Sequence, residues 1–122
     1  MLLEINEETT GTGIVLLKLK GRLTLGREVQ RLEDHINELK KNGTAKVVFD
    51  LGGVDFVDSA GLGMLTQCFA NVNNAGGQFY LSSITDRVKQ VLKFTRLDTI
   101  LPIAANTEEA CALIEGKSAA GA

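Results

Sequence analysis

Residues 45–51, A-K-V-V-F-D-L, form a nearly continuous apolar run of strand length. Such runs belong to strands covered on both faces or lying at the centre of a sheet. Beyond it, Leu62, Leu65, Phe69 and Val72 recur at helical spacing until Gly76-Gly77 stops the pattern. A buried strand that feeds an amphipathic helix restricts the chain to an α/β arrangement. Between the two lies V-D-F-V-D-S-A-G-L-G, Val54 to Gly63, with Asp58 and Ser59 side by side where the helix should begin. The strand is expected to end before this segment, with Gly52-Gly53 as a turn flanked by Asp50 and Asp55.

The rest of the chain extends the alternation. Leu2 to Glu8 reads as a first strand and Thr10 to Gly13 as a turn. From Ile14 to Lys20, Val15, Leu17 and Leu19 alternate with Lys18 and Lys20, the period of a half-buried strand. Val29, Leu32, Ile36 and Leu39 mark one face of a helix over 26–41, which Asn42-Gly43 ends. Gln78 to Ser82 is the next strand, and Thr85 caps a helix whose inner face is Val88, Val91 and Leu92. A short strand near Ile100 to Ile103 precedes a helix over Thr107 to Glu115, opened by Asn106 with Glu109 three residues on, as in a capping box. The order is β β α β α β α β α. Strands alternating with helices are the signature of parallel strands joined by crossover helices. Residues 1–115 therefore read as one domain and 116–122 as a small, flexible C-terminal tail.

Composition removes several classes of function. A formal net charge of −2 with no basic stripe, and no tryptophan, argue against nucleic acid as the main partner. No apolar run approaches the ~20 residues of a membrane span, and no signal peptide is visible, so a cytoplasmic protein is expected. Cys68 and Cys111 stand alone in helical segments and read as reduced core cysteines rather than metal ligands. His35 is the one histidine, which leaves little material for Ser-His-Asp chemistry or histidine-based metal sites. Gly61-Leu62-Gly63 lacks the third glycine of a dinucleotide loop, and no G-K-[ST] follows for a P-loop. No enzyme activity, cofactor or metal is expected.

Two readings of Asp58-Ser59 stand side by side. In the structural one, Asp58 is an N-cap and Ser59 an ordinary first-turn residue. In the functional one, Ser59 presents an exposed hydroxyl where a phosphate dianion is tolerated. Helix-start N–H groups lack intrahelical partners and favour negative charge, and Gly61 and Gly63 leave the backbone open to approach.

Asp58-Ser59-Ala60-Gly61-Leu62-Gly63 resembles the STAS family of anti-sigma factor antagonists. The resemblance spans about residues 13 to 115. It includes Gly21-x-Leu23, the V-V-F-D-L strand, the Gly76-Gly77 stop, and Val88-Lys89-x-Val91-Leu92 leading to Leu97. It implies a STAS-like single domain, with a mostly parallel central sheet of about five strands and about four helices. It also implies a function. A STAS protein of this kind binds an anti-sigma factor, usually a serine kinase with a histidine-kinase-like ATP fold, and so frees a sigma factor for transcription. The kinase phosphorylates the serine after the motif aspartate, here Ser59, and a metal-dependent serine phosphatase resets the switch. The protein is then a ligand and a substrate rather than an enzyme, acting as a monomer or weak dimer.

The implied partner-binding residues are Arg22, Thr24, Asp55 and the run Asp58, Ser59, Ala60, Gly61, Leu62 and Gly63. They form a small, nearly neutral surface built from the helix start and the neighbouring loops. Two positions depart from the family pattern: many members carry Asp where this chain has Thr24, and Ser or Thr where it has Ala60. The second departure leaves Ser59 the sole local acceptor. STAS domains also serve in stress-signalling scaffolds and beside lipid-transport ATPases, so a structural subunit is the alternative reading.

Overall fold

In the computed structural model, which describes residues 3–41 and 45–116, the order of elements is the one expected. The strands are β1 (Glu4–Thr9), β2 (Val15–Leu23), β3 (Lys46–Val57), β4 (Gln78–Ser82) and β5 (Ile103–Ala104). The helices are α1 (Arg27–Lys41), α2 (Ser59–Asn74), α3 (Asp86–Phe94) and α4 (Thr107–Ile114). The strands form one sheet in the order β1-β2-β3-β4-β5. Only the β1–β2 pair is antiparallel; β2 through β5 run parallel.

This order decides which face of the sheet is covered. Four parallel strands laid down in one direction, joined by crossovers of one hand, put every connecting helix on the same side. Accordingly Val29, Leu32 and Ile36 of α1, Met64, Leu65, Cys68 and Val72 of α2, and Val88 and Leu92 of α3 share one core. That core takes in Val15, Leu17, Leu19 and Leu23 of β2, and it is centred on Phe49 and Phe79, whose rings meet edge to face at 4.9 Å. The other face is left to α4, where Ala110 and Ile114 cover Ile14, Val48 and Ala104. Beyond the reach of α4, the β1–β2 ribbon presents charge on that face, with Lys18 paired to Glu8 at 3.0 Å.

Several boundaries move for physical reasons. β3 does not end at Leu51, and Gly52-Gly53 is not a turn. The strand continues to Val57 through two irregularities, where Lys18 and Lys20 pair with Asp50 and Gly53, and Gly21 and Arg22 with Val54 and Phe56. Each inserts one extra residue on β3, so the buried positions become Leu51, Val54 and Val57 with two exposed residues between. That spacing of three imitates the loss of strand alternation. Its neighbour β2 runs on to Leu23 for the same reason. The last strand is Ile103–Ala104; Ile100 is 52% exposed and follows a 3-10 turn over Leu97–Thr99.

Helix ends follow the expected chemistry. Thr85 caps α3 by accepting from the Val88 amide, and Asn106 caps α4 by accepting from the Glu109 amide. Glu109 reaches back to the amide of Ala105 rather than to that of the cap. Gly76, at a φ of 82°, carries the chain out of α2 in the left-handed region. The Asn42-Gly43 stop and residues 117–122 of the expected tail lie outside the described residues. Burial pushes the Cys68 thiol up to about 12, aided by Glu33, and raises that of Cys111, so both thiols stay protonated.

Candidate functional site

The end of β3 and the start of α2 are joined by Asp58, whose backbone is extended (φ −96°, ψ −176°). One carboxylate oxygen accepts from the Gly61 amide at 2.8 Å, the N-cap bond. The other accepts from the Leu25 amide at 3.1 Å, 33 positions away in sequence. The Asp58 amide in turn donates to the Leu23 carbonyl at 3.0 Å. The Gly61 N–H holds the carboxyl below the usual range; partial burial opposes this, and the Leu25 N–H reinforces it. Asp58 is therefore an ionised structural clamp between the β2–α1 loop and α2. Both its oxygens are occupied, which leaves it little capacity to act as a base or a metal ligand. Among the described residues no cluster of His, Cys, Asp and Glu fits a metal ion.

Ser59 is the first residue of α2, and it is exposed. No acidic side chain lies in the first turn of the helix, so the positive end of its dipole is offset only by the Asp58 cap. The side chain sits at the surface on the first turn of a helix.

Gly61 has a different place from the one expected. It is buried, and a Cβ there would collide with the Leu23 backbone, so only glycine lets α2 start this close to β2. Its amide is taken by Asp58, so it does not leave the backbone open to an anion or offer a surface to a partner. Gly63 is exposed with free space around it. Ala60 is half-buried, and Leu62 packs its side chain partly against the core.

The remaining expected residues gather at the same end of the sheet. Thr24 is half-buried between Leu23, which anchors α2, and Leu25, which the Asp58 clamp holds. Arg22 is exposed and pairs across the strands with Phe56, its guanidinium 4.5 Å from the ring centroid. Asp55 is exposed on β3 and is the unpaired residue of the second irregularity, between Val54 and Phe56. Since Leu23 and Val57 turn into the core, Arg22 and Phe56 project to the opposite face. Arg22 and Asp55 lie towards the ends of β2 and β3, the side of the sheet from which the chain enters α2.

Two large apolar residues beside the tip are exposed. Leu25 is 82% exposed and Phe56 36%. Helix α1 starts only at Arg27, which leaves Leu25 outside. Phe56 follows the second β3 irregularity and pairs with Arg22. Both fall in the segments beside the helix start from which the docking surface was expected to be built.

Comparison with known proteins agrees with this geometry. Residues 6–110 match the family model of the STAS domain. A homologue of TM1081 in Thermotoga neapolitana is 33% identical over 81 residues, covering 66% of this chain and 72% of the relative. The anti-sigma-B factor antagonist of Staphylococcus aureus is 26% identical over 102 residues, covering 84% and 94%. The anti-sigma factor antagonist SpoIIAA shares the fold in its unphosphorylated form, with a TM-score of 0.77 at 21% identity over 93% of this chain and 97% of its own. The phosphorylated form of SpoIIAA from Bacillus gives a TM-score of 0.71 at 20% identity over 91% and 99%. With a sheet, an N-capped α2 and a family match that runs from β1 into α4, this protein belongs to the STAS domain family.

Proposed function

We propose that this protein is an anti-sigma factor antagonist that works by switching partners. In its unphosphorylated state it binds an anti-sigma factor of the serine-kinase type in the bacterial cytoplasm, and sigma-factor-dependent transcription proceeds. The kinase transfers phosphate to Ser59, the complex separates, and a serine phosphatase restores the binding form. The chain is substrate and ligand in this cycle and performs no chemistry of its own.

The observation that carries this reading is the exposed hydroxyl of Ser59 at the first position of a helix whose cap is already filled by Asp58. A phosphate adds about −1.5 to −2 charges and three acceptor oxygens. The N-terminus of α2 accommodates that charge without melting. A docked partner does not, because the dianion enters a contact built around exposed Leu25, Phe56 and Arg22. Desolvating it there, or facing it with carboxylates, costs ~2–5 kcal/mol, enough to release a partner. Relatives support the direction of the argument. The Staphylococcus aureus protein is an anti-sigma-B factor antagonist, and SpoIIAA has been solved with and without phosphate.

The reading is tested by isolating the native protein with whatever it binds and mapping phosphate by mass spectrometry. A kinase-fold partner on unmodified chain, and phosphate at Ser59 only on free chain, is the expected result. Phosphorylated chain held in the complex, or modification elsewhere alone, contradicts it. Thr24 favours a second reading, in which the protein is a subunit of a stress-signalling scaffold or of a lipid-transport ATPase. Co-isolation of scaffold or transporter subunits with unmodified Ser59 distinguishes the two.

A further inference from the structure

We propose that the free edge of β1 binds an extended, basic and apolar segment of another protein, which adds a sixth strand to the sheet beside α1. β1 is an edge strand six residues long, and among the described residues it pairs with β2 alone. Its outer row of N–H and C=O groups is a template for one more strand. A groove of about 430 Å³ runs between this edge and α1. Ile5 and Leu32 supply its apolar part. Among the described residues Glu7, Asp34 and Glu38 line it as carboxylates beside Arg31, and Lys41 lies 3.7 Å from Glu38. His35 closes it by contacting Glu7 across the gap.

Strand alternation converts this into a recognition pattern. Ile5 and Glu7 pair with the inward positions Leu19 and Leu17, so they lie on the helix side of the sheet. Glu4, Asn6 and Glu8 pair with Lys20, Lys18 and Leu16 and lie on the other side. Every second side chain of an added strand therefore enters the groove, where an apolar residue meets Ile5 and Leu32 and a cation meets Glu7, Asp34 or Glu38. The intervening side chains meet Glu4 and Glu8. A lysine- or arginine-bearing segment with apolar residues in alternation satisfies both rows.

Charge also rejects the obvious competitor. β1 reads E-I-N-E-E-T, with three carboxylates and no cation. Pairing with a second copy doubles the carboxylates on this edge without adding a cation, and registers that set glutamate opposite glutamate are destabilised. The same acidity that suppresses edge-to-edge self-association selects a basic partner. None of the groove residues belongs to the Ser59 surface, so this contact is independent of the phosphorylation switch.

The test is an NMR titration of the isotope-labelled full chain with a capped heptapeptide of alternating lysine and valine. Saturable amide shifts confined to residues 4–9 and 31–38 are expected. The Glu4→Lys/Glu7→Lys variant is expected to weaken binding about ten-fold or more, since it places like charges against the peptide. A peptide of alternating glutamate and valine is expected to give no saturable shifts. An unchanged circular dichroism spectrum shows that the variant is folded; should it not fold, Glu4→Lys alone replaces it. Shifts scattered over the surface, shifts centred on the start of α2, an undiminished response in the variant, or dimerisation of the free chain through β1 in sedimentation each overturn the proposal.

Discussion

The carboxylate of Asp58 accepts a hydrogen bond from the amide of Leu25 at 3.1 Å, tying the loop before α1 to the first turn of α2. With the second bond, from Gly61, one side chain both caps a helix and fixes the loop beside the candidate phosphorylation site. The surface around Ser59 is therefore held in place before any partner arrives. That matters for affinity, because ordering loops on binding costs free energy.

Replacing Asp58 with alanine removes both bonds. Loss of an N-cap costs about 0.5–2 kcal/mol, and the freed Leu25 amide is exposed enough to turn to water. Chemical denaturation of Asp58→Ala is expected to fall in this range. Partner affinity is expected to drop further than stability does, because the loop bearing Thr24 and Leu25 is released.

The clamp also has a pH signature. The carboxyl of Asp58 is held below its usual value in the folded chain. A depressed folded value means that its ionised form stabilises the fold above the unfolded pKa of about 3.9, and that this contribution is lost as pH falls through the folded value. Asp58→Asn retains a capping side chain but not the charge. The stability gap between the two proteins is expected to be present at pH 7 and to close progressively below about pH 4. A constant gap across that window contradicts an ionised clamp.

Gly61 and Gly63 lie two positions apart in one helix turn and are expected to respond in opposite directions. A methyl group at Gly61 runs into the Leu23 backbone, so Gly61→Ala is expected to destabilise by about 1–3 kcal/mol. At Gly63 the space is open, and alanine is expected to stabilise by about 0.5–1 kcal/mol through helix propensity. Thermal unfolding of the two variants checks both signs.

Phe56→Ala and Arg22→Ala remove an exposed stacked pair. Such contacts are worth about 0.5–1 kcal/mol at exposed sites, so both variants are expected to fold normally. Their effect is expected in partner binding, measured by calorimetry against the isolated anti-sigma factor. Unchanged affinity in both places the docking surface elsewhere.

How much of this was legible in the sequence differs between elements. The alternation of Val15, Leu17 and Leu19, and the helical spacing of Val29, Leu32 and Ile36, describe faces that are buried as expected. Ser59 and the Asp58 cap followed from an acid and a hydroxyl ahead of an amphipathic run. The extension of β3 did not, because its two irregularities turn L-G-G-V-D-F-V into a period of three that no regular strand has. Gly61 was misjudged because a buried helical glycine and an exposed one look alike until the packing of α2 on β2 is known. The 3-10 turn over Leu97–Thr99 that precedes the exposed Ile100 was not read from the local pattern.

The central claim concerns charge at one hydroxyl, and a binding titration of Ser59→Ala and Ser59→Asp with the anti-sigma partner tests it most directly. Negative charge at the start of α2 stabilises a helix by about 0.3–1 kcal/mol, so Ser59→Asp is expected to remain folded and any loss is a loss at the interface. Ser59→Ala is expected to bind constitutively, including in the presence of kinase and ATP, and Ser59→Asp weakly. Equal affinity of the two variants contradicts the account.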